Sequence, residues 1–315
     1  MPTAIEWVRS HVPQQHGRLV LVTGANSGIG FETARLLAQR GARVILACRN
    51  VERARGALRR VRGHAPDAHL ELLELDVSDM ESVARAADEV RSRHDHLDVL
   101  INNAGVMATP PRRTPQGFEL QLATNHLGHF ALTGRLLPAL LAGERPRVVT
   151  VASNMHRRGR IRFDDLNWQR GYHPIAAYSQ SKLANLLFTF ELQRRSARAG
   201  LALSALAAHP GWTATALYRR SARMNDSPLT DRVTRAVNAV LAQDAAHGAL
   251  PTVAAAALPE ARGGDYWGPT GPMELRGLPG HARPGHNATD VAAAQRLWTL
   301  SEQLTGVAFA QLAAR

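Results

Sequence analysis

The chain has 315 residues, 45% of them hydrophobic and 20% charged, a globular composition long enough to bury a core without disulfide or metal staples. Its single cysteine, Cys48, excludes an intrachain disulfide and a multi-cysteine metal site. The net charge of +12 is spread over scattered arginines whose densest patches (Arg53 to Arg62, Arg157 to Arg162, Arg219 to Arg223) are short and lack interleaved aromatics, so a solvated basic surface is expected rather than a nucleic-acid partner.

Residues 1–16 read as an N-terminal extension with no apolar core of signal-peptide length, and no apolar run is long enough to span a bilayer. A cytoplasmic protein without a membrane partner is the expectation. Within the extension, Ile5, Trp7 and Val8 form a short amphipathic turn expected to pack on the body of the domain. RLVLVT (18–23) is a β-rich run, followed by glycines and a helical pattern to about Arg40. ARVILAC (42–48) is a second strand, followed by an arginine- and alanine-rich helix and then HLELLELDV (69–77). Residues 80–94 read as helix, 97–102 as strand, 116–141 as a long helix and 147–153 as strand. Helix is expected again over 176–199, then a sixth strand with its exit loop over 201–211, helix over 229–258, a short strand at 265–268 and a last amphipathic helix over 290–312. Strands alternating with helices of this length indicate parallel βαβ units, and near-continuous apolar strands indicate a sheet covered on both faces. The expected fold is α/β, a doubly wound parallel sheet of the Rossmann type, in one domain over 1–315, with 212–230 and 263–285 closing over the carboxyl edge where such sheets bind ligands.

The turn after the first strand, TGANSGIG (Thr23 to Gly30), has the residues of a dinucleotide site. Gly24 permits a tight turn, Gly28 lets the backbone approach a phosphate, and Gly30 lets helix and strand pack closely. Asn26, Ser27 and Ile29 complete the loop, and the helix N-terminus offers free N–H groups and a positive dipole end to a pyrophosphate. At the end of the second strand an NAD site usually presents an acid to the ribose 2′-hydroxyl, whereas this chain has Cys48, Arg49 and Asn50. A guanidinium suits a 2′-phosphate, which points to NADP. Asp76 and Val77 end the third strand, at the height of an adenine ring. Asn102, Asn103, Ala104 and Gly105 end the fourth, with residues small enough to pass close to a ribose.

Of 38 basic residues only Lys182 is lysine, so it occupies a place where the wide, planar arginine fork does not serve. Tyr178 lies four residues before it, on the same face of the helix expected there. An ammonium next to a phenol stabilises the phenolate. Lowering a phenol pKa from about 10 to about 7 takes roughly 4 kcal/mol. Tyr178 is therefore a candidate general acid for a carbonyl oxygen. Ser153, at the end of the fifth strand, could hold that carbonyl by a hydrogen bond or serve as a helix cap. Asn125, in the long central helix, could kink it or hold a water near Lys182.

Taken together, TGANSGIG, NNAG, Asn125, Ser153, YSQSK (178–182) and HPG (209–211) resemble the short-chain dehydrogenase/reductase family, over about residue 15 to the end. ACRN (47–50), LATNHLGHF (122–130) and the 25 positions between Ser153 and Tyr178 resemble the branch with retinol dehydrogenases and protochlorophyllide oxidoreductases. The resemblance implies hydride transfer from the nicotinamide C4 to a carbonyl carbon. It implies that Tyr178 gives the proton, Lys182 holds the ribose hydroxyls and lowers the tyrosine pKa, Ser153 orients the carbonyl and Asn125 positions a relay water. It also places Pro210, Gly211, Trp212 and especially Thr213 at the nicotinamide carboxamide. Ala152 stands where the family often has another serine. A homodimer or homotetramer through the helices 116–141 and 176–199 is implied in the same way.

The expected activity is that of an NADP(H)-dependent carbonyl reductase or alcohol dehydrogenase acting on a small, lipophilic molecule. A non-catalytic NADP-binding sensor is the alternative. Segments 154–173, 212–230 and 263–280 supply Met155, Trp168, Trp212, Leu217, Tyr218, Met224, Tyr266 and Trp267 for an apolar substrate pocket, without choosing among steroid, retinoid, polyketide ketone or aldehyde. His126 and His129 are three apart on a helix, but no HExxH motif or nearby carboxylate joins them, so no metal site is expected. Cys48 has no evident base and reads as a packed thiol.

Overall fold

The computed structural model describes residues 1–213 and 243–312. Its centre is an eight-stranded sheet of β1 (Leu19–Thr23), β2 (Arg43–Cys48), β3 (Leu70–Glu74), β4 (Val99–Asn102), β5 (Arg147–Val151), β6 (Ser204–Ala208), β7 (Tyr266–Pro269) and β8 (Pro279–His281). The spatial order is β3-β2-β1-β4-β5-β6-β7-β8, all parallel except β8, which pairs antiparallel with β7. The order reverses between β1 and β4, which puts the switch point of the doubly wound sheet at the carboxyl ends of those two strands. β8 was not expected: PGH carries a proline and no period, and only its pairing with Trp267 to Pro269 makes it a strand.

The strands are apolar throughout because both faces are covered. Val20 and Val22 pack into one core with Val44 and Leu46, while Leu19 and Leu21 face the other with Ile45 and Ala47, the two-residue alternation of a strand. The first core is closed by α1 (Ala4–His11), α2 (Gly28–Ala38), α3 (Val51–His64) and α8 (Ala245–Ala257). The second is closed by α4 (Met80–Arg93), α6 (Gly128–Leu141), α7 (Pro174–Arg198) and α9 (Val291–Thr305). Helix starts are set locally: Asn50 accepts from the Arg53 N–H and Asp79 from the Glu81 N–H. The N-terminal turn is a full helix, opened by a reciprocal box between Thr3 and Glu6, and it buries Trp7 and Val8 on the body.

Three expected helices have different limits. The one expected from 116 starts at the short α5 (Leu120–Leu122), because Thr114 N–H bonds Phe118 O and Arg113 bridges Glu119 in a tight turn. Asn125 then sits in a π-helical turn, Ala123–Leu127, before α6 proper, a wider winding that often marks a functional site. The helix expected over 229–258 is capped at Asp244, whose side chain accepts from the His247 N–H, so its described part is α8 alone and its earlier half lies outside the described residues. The last helix stops at Thr305 on Gly306, which takes φ +65°, and only a short 3-10 turn follows at Ala310–Leu312. The loop residues Leu217, Tyr218 and Met224 and the arginine patch at 219–223 also lie outside the described residues.

α9 bears on the expected assembly. Trp298 of α9 packs among Phe130 of α6, Phe188 of α7 and Phe309, with ring centroids 5.1, 5.9 and 4.6 Å away. This chain's own last helix thus covers part of the two helix faces on which the dimer or tetramer expectation rested. Among the described residues, no helix is long and apolar enough to cross a membrane.

Candidate active site

The turn from β1 into α2 is shaped by its glycines. Gly24 takes φ +69°, and a Cβ there would lie 3.0 Å from Ala104 Cα. Gly30 has no room for a Cβ, which would meet Asn103 Nδ2 and would lie 2.7 Å from Gly24 O. Ser27 is the N-cap of α2 but makes no capping bond to it, so the first amides of α2 are left to another acceptor. These are the features a pyrophosphate needs, and the residues present fit a dinucleotide.

Thr23 ties this turn to the end of β4. Its Oγ1 accepts from the N–H groups of Asn103 and Ala104, each at 2.9 Å, and Asn103 Nδ2 donates to Thr23 O at 2.7 Å. His129 lies 2.9 Å from the same hydroxyl through Nε2 and 3.1 Å from Asn125 O through Nδ1. A carbonyl can only accept, so Nδ1 carries the proton. Burial drives the His129 pKa down to about 4 and that of His126 to about 3. His126 spends its Nε2 on Ser301 Oγ, and among the described residues no three metal-ligating side chains come together.

At the ends of β2 and β3, Arg49 and Asp76 approach to 3.4 Å, with the Arg49 side chain 74% exposed. Asp76 is also held by the amide and hydroxyl of Ser78. A second guanidinium, Arg60, stacks over Phe31 and donates to Asn26 O at 3.2 Å. Cys48 is buried among apolar side chains, which raises its thiol pKa to about 11, so it is a packing residue.

On α7, Tyr178 and Lys182 lie one turn apart on a helix that begins with His173 as cap and Pro174 at its first position. The Lys182 ammonium is 5.9 Å from the Tyr178 ring centroid and donates to Val151 O, the end of β5, at 2.9 Å. Asn185 Nδ2 donates to the same carbonyl at 3.1 Å. Burial lowers the Lys182 pKa to about 8. Ser153 follows two residues after Val151 and caps the 3-10 turn Asn154–Arg158. Its hydroxyl accepts from the Met155 N–H at 3.2 Å, and among the described residues its own proton has no acceptor. Both roles weighed for Ser153, cap and carbonyl donor, are thus open to one hydroxyl.

Asn125 is fully buried. Its Oδ1 accepts from the Val106 N–H at 2.8 Å, and its Nδ2 donates to Val106 O at 3.0 Å and to Ser181 Oγ at 2.8 Å. Both amide protons are spent on the protein, so the side chain braces the loop after β4 against α7, and only Oδ1 keeps capacity for a water. A Cβ on Gly105 would lie 3.1 Å from that Oδ1 and 3.6 Å from Lys182 Nζ, which places the NNAG loop at the head of the lysine. Pro210 O accepts from Thr213 Oγ1 and Gln243 Nε2, and the Trp212 N–H donates to Leu275 O at 2.7 Å. Gly28, Ile29, Asn50 and Val77 stand at the same carboxyl edge, at the starts of α2, α3 and α4 or just before them.

The family model for short chain dehydrogenases matches residues 18–226. The chain belongs to the short-chain dehydrogenases. It is an oxidoreductase of that family, in its retinol dehydrogenase branch. It is 40% identical to human Retinol dehydrogenase 13 over 294 residues, 92% of this chain and 85% of the relative. To mouse Retinol dehydrogenase 14 it is 39% identical, over 93% of this chain and 87% of the relative. Among solved structures, an uncharacterized protein from Mycobacterium paratuberculosis aligns with a TM-score of 0.79 and 44% identity over 98% of both chains. A protein from Beutenbergia cavernae that carries the name of an NAD(P) dependent gluconate 5-dehydrogenase, solved with NADP bound at low occupancy, aligns with a TM-score of 0.62 and 26% identity over 80% of this chain and 95% of its own.

The sequence reading named Thr23 and Ser181 only within their motifs and without a role, weighed His129 only as a metal ligand, and passed over Asn185 and Arg60. Ser181 and Asn185 lie within a turn of Lys182, so the helix period carried a signal for both. Nothing local connects Thr23 with His129, which are 106 residues apart.

Proposed function

We propose that the chain transfers hydride between NADP(H) and a carbonyl or alcohol of a small, lipophilic molecule. The observation that carries this reading is the burial of the only lysine one helical turn from Tyr178, with its ammonium pinned on the strand that leads to Ser153. The retinol dehydrogenase relatives support a lipophilic substrate, and the NADP-bound neighbour supports the cofactor.

In this reading the uncapped first turn of α2 holds the pyrophosphate, Arg49 the 2′-phosphate, Asp76 and Val77 the adenine end, and Asn103 to Gly105 with Lys182 the ribose. Pro210 to Thr213 meet the carboxamide. When bound, the nicotinamide supplies or accepts the hydride. The chain's own groups manage the proton. The Ser153 hydroxyl donates to the substrate oxygen and fixes its direction. The Tyr178 phenol gives its proton to that oxygen as negative charge develops, and the ammonium of Lys182 stabilises the phenolate left behind. Asn125 keeps the NNAG loop against α7, so that lysine and phenol hold their places.

Calorimetric titration with NADPH and NADH tests the cofactor half. NADPH is expected to bind at least tenfold more tightly. Arg49→Ala is expected to remove most of that preference through NADPH alone, since a charge-assisted pair to the 2′-phosphate is lost. Equal affinity for both cofactors in the parent chain, or an unchanged preference in the variant, contradicts the assignment.

A further inference from the structure

Outside the groups that the proposed mechanism uses, a polar cluster surrounds Glu274. Met273 and Glu274 take φ +53° and +55°, a left-handed conformation that non-glycine residues rarely adopt in succession. The conformation brings the Glu274 carboxylate to three different segments. His209 Nε2, at the end of β6, lies 3.3 Å from Oε2. Arg157 Nη2, in the turn after β5, donates to Oε2 at 3.3 Å. The Arg283 N–H, after β8, donates to Oε1 at 3.2 Å.

The backbone around Glu274 repeats the same connections. Asn154 Nδ2 donates to Glu274 O at 3.3 Å, and the Trp212 N–H donates to Leu275 O at 2.7 Å. Arg157 also donates to Arg283 O at 2.6 Å. The His209 imidazole is fully buried, and Gly268 on β7 makes room for it, because a Cβ there would meet Nε2. Its Nδ1 accepts from the Gly211 N–H at 3.2 Å, which leaves the proton on Nε2, facing the carboxylate. Burial pushes the His209 pKa down, and the closeness of His209 above all, with the Arg283 amide and the Arg157 guanidinium, holds the Glu274 carboxyl at about 2, although His209 Nε2 makes no hydrogen bond of good geometry. Three partner groups on three segments, one of them with no solvent exposure, distinguish this carboxylate from that of an ordinary surface ion pair.

We propose that Glu274 is a positioning residue, a single carboxylate that sets the spacing between the Ser153–Gly159 turn and the His209–Thr213 turn and so holds the two walls of the reaction site in register. The first turn carries the hydroxyl assigned to the substrate carbonyl. The second carries the residues assigned to the nicotinamide end. The inference rests on the function proposed above for those two turns, but the tie itself can be measured without any ligand.

The test is hydrogen–deuterium exchange on the ligand-free full chain, read by peptide mass spectrometry, with steady-state kinetics alongside. In Glu274→Ala the amides of 154–159 and of 209–213 are expected to exchange at least tenfold faster together, with β1 to β5 unchanged. With NADPH and an apolar aldehyde, kcat is expected to fall at least tenfold while KM changes less than threefold. Glu274→Gln, which keeps the shape and one acceptor oxygen, is expected to recover most of both. Arg157→Ala cuts one arm only, and keeps the proposal testable if Glu274→Ala does not fold; it is expected to loosen 154–159. Faster exchange confined to 270–283, no loosening of 154–159 in Arg157→Ala, or loosened turns with unaltered kcat each overturn the proposal. A parent chain that reduces no carbonyl compound overturns the functional reading instead, while the exchange pattern still decides the tie.

Discussion

The Lys182 ammonium lies 5.9 Å from the Tyr178 ring centroid and hydrogen-bonds Val151 O at 2.9 Å, in a place that solvent hardly reaches. Burying that charge lowers the pKa of the group from 10.5 to about 8. The unfolded chain therefore binds more protons than the folded one between those two values. Stability contributed by this group rises with pH across the window and is lowest below pH 8. The shift corresponds to about 3 kcal/mol at neutral pH.

Lys182→Met is accordingly expected to abolish turnover and to raise the stability of the ligand-free protein at pH 7, by up to about 3 kcal/mol less the lost hydrogen bond. Urea midpoints of parent and variant, taken from pH 7 to pH 10, check this. The gap between them narrows as pH rises. A gap independent of pH contradicts the account.

Gly30→Ala tests the cofactor turn. The added methyl must displace the Asn103 amide from Thr23 O, because the two cannot share the space. NADPH affinity is expected to fall by at least tenfold in a calorimetric titration, with less than about 2 kcal/mol lost from folding stability. Unchanged affinity would show that the end of β4 does not serve the cofactor turn.

Trp298→Ala tests the role of α9. The ring lies at the centre of Phe130, Phe188 and Phe309, with the Arg195 guanidinium 4.5 Å from its centroid. Its removal is expected to cost about 3–5 kcal/mol in chemical denaturation. Trp298→Phe is expected to cost less than half as much, because the indole Nε1 has no partner to lose. Equal losses in the two variants would mean that ring contact is not the source of the stability.

Much of the site was legible because its parts are local. TGANSGIG is a strand, a turn and a helix start within eight residues, and Tyr178 and Lys182 meet through the period of one helix. The alternation of strands and helices gave the sheet in the same way. Where contacts are distant, the sequence is silent: Asn125 and Ser181 are 56 residues apart, and nothing around Glu274 announces His209. Other misses had a signal. Thr3 and Glu6 form a capping box spaced as the motif requires, and Gly306 marks where α9 ends. The π-helical turn falls where Asn125 was expected to kink the helix, but its partners Val106 and Ser181 had no signal in the sequence.

The most direct test of the central claim is Tyr178→Phe, assayed for NADPH oxidation with a series of apolar aldehydes and ketones and, in parallel, for NADPH binding by calorimetry. The account predicts that turnover falls by at least a factor of about 10³ with NADPH affinity within about threefold of the parent, since the variant removes only the proton donor. Turnover retained within tenfold of the parent would contradict it and remove Tyr178 from the chemistry.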